Sequence, residues 1–159
     1  MVEQITTSSG KRYLKDETGL WYLEGYKELT EDEKKKICNG IGAASGLSKH
    51  FPSTLWFLDC SETGNRHDYS YHVGGTLQDR RLADKFFLIN LYTQIAKGSK
   101  LMAWIRRSRA RKYWMALALF GGAHFNYTNQ SLVFSYSETE ASDMAQAASD
   151  YVDAENEKN

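Results

Sequence analysis

The sequence predicts a mainly α-helical fold, and three features indicate it. Only one proline occurs in 159 residues, which argues against a scaffold made of loops. Gly74 and Gly75 break the chain between two segments of helical character, and Thr76 with Asp79 three residues later is a typical start of the second segment. Thr30 and Glu33 mark an earlier start in the same way. We therefore expect helices over residues 31–38, 60–73, 77–97 and 99–120.

The two ends of the chain differ from this helical centre. Residues 5–28 alternate charged and aromatic positions around three glycines, which predicts a small β-hairpin of residues 12–14 and 20–23 as an N-terminal appendage. Residues 138–159 are acidic and rich in alanine, and either a helix over 138–154 or disorder is compatible with that composition. The sequence thus predicts one domain over residues 1–137 and an acidic tail.

Composition is that of a small globular protein. With 42% hydrophobic and 13% aromatic residues, the chain can bury one core. No apolar run is long enough to cross a bilayer, and the polar start Met1–Gln4 is not a secretory signal. Two cysteines exclude a disulfide framework. We expect synthesis in a cytoplasm, with non-classical export or phage association if the protein acts outside.

The most informative residues lie on either side of the glycine pair. His67 and Tyr71 are one helical turn apart and share a face. Asp84 lies at helical spacing from Phe87 and Leu91, so its carboxylate points toward apolar neighbours, where an unpaired charge is costly. We therefore predict a hydrogen bond between Asp84 and the imidazole of His67, with the two helices antiparallel. A structural ion pair is the alternative interpretation of the same residues.

A run of small residues follows the first expected helix. Residues 38–46 read Cys-Asn-Gly-Ile-Gly-Ala-Ala-Ser-Gly, and such a segment lets several backbone carbonyls turn toward one point. Calcium takes oxygen ligands of that kind together with a carboxylate, which Asp68 could supply. The sequence thus contains the parts of a calcium site.

The motifs Asn39-Gly-x-Gly, His67-Asp-x-x-Tyr and Ala83-Asp-x-x-Phe together resemble the phospholipase A2 superfamily. The similarity extends over about residues 37–127 and is greatest to its compact bacterial, phage-associated and viral-capsid forms. It implies a core of antiparallel helices and a Ca²⁺-dependent hydrolysis of phospholipid esters. The fold class expected is thus mainly α, with a phospholipase A2-like core, the N-terminal β-hairpin and the acidic C-terminal tail.

The resemblance also implies roles for single residues. His67 matches the general base that deprotonates water, and Asp84 matches the carboxylate that orients it. Tyr71 matches the tyrosine that donates to that carboxylate, and Asp68 matches the side-chain ligand of calcium. The backbone ligands of calcium would be the carbonyls of Gly40, Gly42 and Ala44.

The expected helix from Ser99 combines aromatic and basic residues. It is interpreted either as a core helix with a solvated basic face or as a surface that binds anionic lipid peripherally. Nucleic acid is the less favoured partner because the sequence contains no base-reading motif. The residues expected at a lipid interface are Trp104, Arg106, Arg107, Arg109 and Arg111.

Three functions follow from these observations. The first is the calcium-dependent phospholipid ester hydrolase. The second is a non-catalytic scaffold of the same fold, which binds lipid or a partner in a phage or secretion apparatus. The third is a metal phosphohydrolase of the His-Asp type, which would use His50, His67, Asp68 and either Asp143 or Asp150.

Overall fold

The computed structural model describes residues 3–38, 54–128 and 136–158 and confirms a mainly α fold. The described residues contain helices α1 Glu31–Ile37, α2 Ser61–Val73, α3 Leu77–Lys97, α4 Lys100–Phe120 and α5 Glu138–Asn156. They also contain strands β1 Gln4–Thr6, β2 Arg12–Lys15, β3 Trp21–Leu23, β4 Thr54–Leu55 and β5 Leu58–Asp59. None of these helices combines the length and the apolar composition that a membrane crossing requires.

Helices α2 and α3 are antiparallel, and the glycine pair makes the reversal between them. Gly74 and Gly75 have φ angles of 68° and 130°, which side-chain-bearing residues rarely adopt. A Cβ atom on Gly74 would also collide with the backbone of Asn126. Immediately afterwards, Thr76 and Asp79 form the predicted capping box, which fixes the start of α3. The reversal is thus determined by residues that lie close together in the sequence.

The N-terminal strands form a three-stranded antiparallel sheet in the order β1-β2-β3. The sheet is part of the core, which differs from the appendage that the sequence suggested. Trp21 stacks on Phe86 of α3 with ring centroids 4.6 Å apart. The Asn90 side chain accepts a hydrogen bond from the backbone N–H of Trp21 (2.7 Å) and donates one to its carbonyl (2.8 Å). Sheet and α3 therefore share both apolar and polar contacts.

The acidic segment is helical, one of the two alternatives that its composition left open. Ser137 and Glu140 form a capping box at the start of α5. Its inner face packs on α3 and α4 through small side chains, namely Ala141, Ala145, Ala148 and Val152, all buried. Acidic residues of α5 pair with basic residues of those helices, as in the Arg107–Asp153 contact at 2.7 Å. The opposite charges of these two regions thus face each other across a helix interface.

Candidate functional site

The antiparallel packing of α2 on α3 brings His67 and Asp84 together. Nε2 of His67 lies 3.0 Å from Oδ1 of Asp84, so the predicted hydrogen bond is present. The flanking contacts run in opposite directions along the two helices, with Thr63 bonded to Gln94 at 2.7 Å and Tyr71 contacting Arg80 at 3.3 Å. The two side chains are deeply placed: His67 is 5% exposed and Asp84 is fully buried.

Three further side chains surround the carboxylate of Asp84. Tyr71 donates its hydroxyl to Oδ1 at 2.7 Å, and Tyr136 donates its hydroxyl to Oδ2 at 3.0 Å. Nε of Arg80 lies 3.5 Å from Oδ2. With His67, these residues form what we call the Asp84 network, in which a buried negative charge has both a cation and several donors around it.

The Asp84 network assigns a proton to one nitrogen of His67. Burial and the charge of Asp84 raise the pKa of Tyr71 well above its usual range, and the same causes raise that of Tyr136. Both phenols therefore keep their protons and donate them. Burial lowers the pKa of Arg80, but the effects of Tyr71 and Asp84 together outweigh that of burial, and the pKa is raised. An ionised carboxylate only accepts hydrogen bonds, so in the neutral imidazole of His67 the proton is carried by Nε2 and Nδ1 is left as the acceptor.

The imidazole of His67 is confined by aromatic neighbours. Its ring centroid lies 4.1 Å from that of Tyr71 and 4.7 Å from that of Phe87. Beside it is a cavity of about 10 Å³, whose other walls include Tyr13 and Trp21 of the N-terminal sheet. Such a volume holds about one water molecule. Trp21 Nε1 is buried and has no hydrogen-bond partner among the described residues. The described arrangement thus admits water to His67 but not a lipid.

Asp68 lies close enough to Cys38 for its charge to act on the thiol. Burial, reinforced by the carboxylates of Asp68 and Glu62, raises the pKa of the Cys38 thiol to about 11. Cys38 is the last described residue before that segment, so Asp68 lies near the expected calcium loop. Its half-buried carboxylate fits a hard cation such as Ca²⁺. The expected backbone ligands Gly40, Gly42 and Ala44 lie outside the described residues.

The basic residues of α4 are placed differently from the lipid interface expected for them. Arg106 is buried, and its guanidinium donates to the carbonyls of Leu55 (3.2 Å) and Trp56 (2.9 Å), so it is unavailable to lipid. Arg107 pairs with Asp153, and Arg111 donates to Ser142 of α5 at 2.9 Å. The burial has a physical reason: a guanidinium offers five donors, and the carbonyls of a short hairpin need them.

The remaining two residues of the expected interface lie beside Trp56, between β4 and β5. Trp104 is 79% exposed, and Arg109 lies over the ring of Trp56 with its guanidinium carbon 5.6 Å from the ring centroid. Together with Trp56 and Tyr113 they line an open groove on the outer side of α4. The expected interface residues thus have three different positions. Arg107 and Arg111 contact α5, Arg106 is buried, and Trp104 and Arg109 line the groove.

Three residues that contact Asp84 were not identified from the sequence. Arg80 precedes Asp84 by four residues, and this i, i+4 spacing is a signal that could have revealed it. Trp114 donates its indole N–H to the backbone carbonyl of Asp84 at 2.8 Å, and Tyr136 reaches the carboxylate from just before α5. Neither has a spacing relation to Asp84, because each arrives through tertiary packing.

Two observations bear on a transition-metal site. The described residues contain no group of three or more His, Cys, Asp or Glu side chains that could hold a metal ion. Nε2 of His67 faces Asp84, and the Asp150 carboxylate accepts a hydrogen bond from Gln146 on α5 at 2.8 Å. His50, the other ligand proposed for a His-Asp phosphohydrolase, lies outside the described residues.

Comparison of the chain with protein-family models, with curated proteins and with solved structures finds no match. The functional argument therefore depends on the geometry of the site and on the motifs of the sequence.

Proposed function

We propose that the protein is a calcium-dependent phospholipid ester hydrolase in which His67 activates water, as in the phospholipase A2 superfamily that its motifs resemble. The observation that carries the proposal is the Asp84 network, because it holds His67 in the tautomer that a general base needs. The cavity beside His67 has room for the water to be activated.

The mechanism assigns a step to each member of the network. Nδ1 of His67 accepts a proton from water as the water attacks the ester carbonyl, and Asp84 balances the resulting imidazolium through Nε2. The ester C–O bond then breaks, and the imidazolium returns the proton to the leaving alkoxide. Tyr71 and Tyr136 hold the Asp84 carboxylate in its orientation during this charge change. Asp68, with carbonyls of Gly40, Gly42 and Ala44, would hold Ca²⁺. The ion, when bound, would polarise the ester carbonyl and stabilise the oxyanion.

The substrate is a lipid of a membrane to which the protein binds peripherally, in a bacterial or phage-associated setting. Because the cavity at His67 holds about one water molecule, an ester can reach it only if the covering residues move. Interfacial enzymes use such closure to exclude bulk water from the reaction. The proposal therefore predicts that hydrolysis depends on a conformational opening at the N-terminal sheet or its surroundings.

A second candidate follows from the same burial. His67 is 5% exposed and the described cavity excludes a lipid, which favours a non-catalytic scaffold that binds lipid or a partner of a phage or secretion apparatus. In that case the Asp84 network is a structural element of the core. The two candidates differ in one measurable property, the turnover of phospholipid esters.

The test is a calcium titration of phospholipid hydrolysis by the parent and two variants. His67→Gln should abolish hydrolysis and leave calcium binding almost unchanged, because the imidazole is expected to lie outside the coordination sphere. Asp68→Asn should weaken both together. Since extracellular calcium modules bind in the millimolar range, the titration extends to roughly that concentration. If the parent hydrolyses no phospholipid ester at any calcium concentration, the scaffold is the better account.

A further inference from the structure

The strongest unassigned feature is the groove between the β4-β5 hairpin and the outer face of α4. It has a volume of about 490 Å³ and is lined by Trp56, Trp104, Ile105, Ser108, Arg109, Lys112 and Tyr113. Ser108 and Lys112 lie two residues on either side of the buried Ala110, which places the groove on the side of α4 opposite the Asp84 network. It is therefore separate from the site at His67.

The hairpin that forms one wall has an unfavourable turn. Leu55 pairs with Leu58, so Trp56 and Phe57 alone make the connection, and their φ angles are 48° and 67°. Two-residue turns with positive φ at both positions strongly favour Asn and Gly, and bulky aromatic residues are strained there. Phe57 gains no packing in return, since it is 95% exposed. Strain of this kind is retained at sites that bind or react.

The turn is also held firmly in place. The buried guanidinium of Arg106 donates to the carbonyls of Leu55 and Trp56 from beneath the hairpin. These bonds involve only the backbone of the turn, so they would survive a change of its side chains. The aromatic pair is thus presented outward on a rigid support.

The surface around the turn combines apolar and cationic groups. Leu101 and Trp104 of α4 are 87% and 79% exposed, which extends the apolar area beyond Phe57. Arg109 lies over Trp56, and Lys112 lines the same groove. Residues 85–137 include no acidic side chain, so α4 offers no competing negative charge. Apolar and aromatic side chains rimmed by cations are the composition that binds the boundary of an anionic bilayer.

We propose that this surface docks the protein on membranes that contain anionic phospholipid. Trp56, Phe57, Leu101 and Trp104 enter the boundary between headgroups and acyl chains, while Arg109 and Lys112 contact the phosphates. The choice of anionic lipid as the occupant rests on the apolar and cationic side chains of the surface and is independent of the proposed hydrolysis. This surface differs from the row of arginines expected from the sequence, because Arg106 is buried and Arg107 and Arg111 contact Asp153 and Ser142 of α5.

The test compares binding to phosphatidylcholine vesicles with and without phosphatidylglycerol. In the double variant Trp56→Asn/Phe57→Gly, the turn receives its preferred residues, so thermal stability should be equal or higher. Binding to the anionic vesicles should nevertheless weaken at least about tenfold, because two apolar side chains are lost. Arg109→Gln and Lys112→Gln should each weaken it about fivefold and reduce its salt dependence. Phe120→Ser, which removes an exposed aromatic outside the groove, should change little.

Binding and hydrolysis are measured separately so that the two proposals can fail independently. His67→Gln should bind vesicles as the parent does, whereas the double variant should still hydrolyse a short-chain ester dispersed in water. A parent that binds anionic vesicles without hydrolysis supports the docking surface and contradicts the enzyme. Docking on lipid is overturned if the parent does not bind anionic vesicles or if it binds neutral vesicles equally well. It is also overturned if the double variant binds anionic vesicles as tightly as the parent does.

Discussion

Two buried carboxylates lie five residues apart on α3, and their surroundings differ in kind. Asp79 accepts hydrogen bonds from Ser9 (2.6 Å) and from the backbone N–H of Thr76 (2.8 Å), and Lys11 lies 3.6 Å from it. Asp84 is instead bonded to an imidazole and two phenols beside an arginine.

The difference shows how burial alone fails to identify a reactive site. The partners of Asp79 are a hydroxyl, a backbone N–H and an ammonium, and they join the N-terminal sheet to the start of α3. Asp84 is in contact with a ring that can gain and lose a proton. We infer that Asp79 is structural and that Asp84 acts by orienting His67, and the following variants test that distinction.

The largest effect is expected for Asp84→Asn. The variant replaces a carboxylate that only accepts by an amide that can also donate, so the His67 tautomer is no longer fixed. Hydrolysis should fall by about 10³ to 10⁴, as when the orienting carboxylate of a catalytic triad is replaced. The variant also leaves the charge of Arg80 without its counter-ion, which should lower the free energy of unfolding by about 3–5 kcal/mol. Steady-state hydrolysis and urea denaturation measure the two effects. Hydrolysis at the parent rate would remove Asp84 from the mechanism.

Asp79→Asn should affect stability and leave hydrolysis per folded molecule unchanged. We expect a loss of about 1–2 kcal/mol at neutral pH, because the capping box and the contact with Lys11 are weakened. Denaturation curves give the stability, and activity is normalised to the folded fraction. A selective loss of hydrolysis in this variant would erase the contrast between the two carboxylates.

The pH dependence of stability provides a second readout of Asp79. Burial raises the pKa of Asp79. The hydrogen bonds from Ser9 and Thr76 and the charge of Lys11 together outweigh burial, so the pKa is lowered. A carboxyl with a lowered folded pKa stabilises the protein fully above its unfolded pKa of about 3.9 and loses that contribution as the pH falls through the folded value. Asp79→Asn should therefore show a shallower loss of stability below about pH 4. An unchanged acid profile would contradict this assignment.

The smallest effects come from a matched pair that removes one hydroxyl donor from each carboxylate. Tyr136→Phe removes a donor to Asp84 and Ser9→Ala removes a donor to Asp79. Each should cost about 0.5–1.5 kcal/mol of stability, the range of a single hydrogen bond, because each carboxylate keeps its other donors. Only Tyr136→Phe should slow hydrolysis. Equal slowing by both would indicate a general loss of rigidity instead of a specific effect on Asp84.

Local signals in the sequence were sufficient for much of the fold. The glycine pair and the capping box of Thr76 and Asp79 predict the reversal between α2 and α3, and the structure has both. The hydrogen bond between His67 and Asp84 followed from one physical constraint, that a carboxylate on an apolar face needs a partner. Elements determined by short-range chemistry were thus predictable.

What escaped prediction depends on long-range packing or departs from residue preferences. Tyr136 reaches Asp84 across 52 positions of the chain, and no periodicity connects them. Arg106 is buried within a basic run whose other members have no such environment, because only it lies beneath the β4-β5 hairpin. The turn of Trp56 and Phe57 contradicts the preference for Asn and Gly, so the turn rules could not find it.

The central claim is that the Asp84 network fixes the proton of His67 on Nε2 and leaves Nδ1 as the acceptor. Two-dimensional NMR of ¹⁵N-labelled imidazoles distinguishes the two neutral tautomers directly, with His67→Gln used to assign the signal. The account predicts that neutral His67 is protonated on Nε2 in the parent and that Asp84→Asn loses this preference, while Asp79→Asn keeps it. A parent in which Nδ1 carries the proton, or in which Asp84→Asn leaves the tautomer unchanged, would contradict the claim.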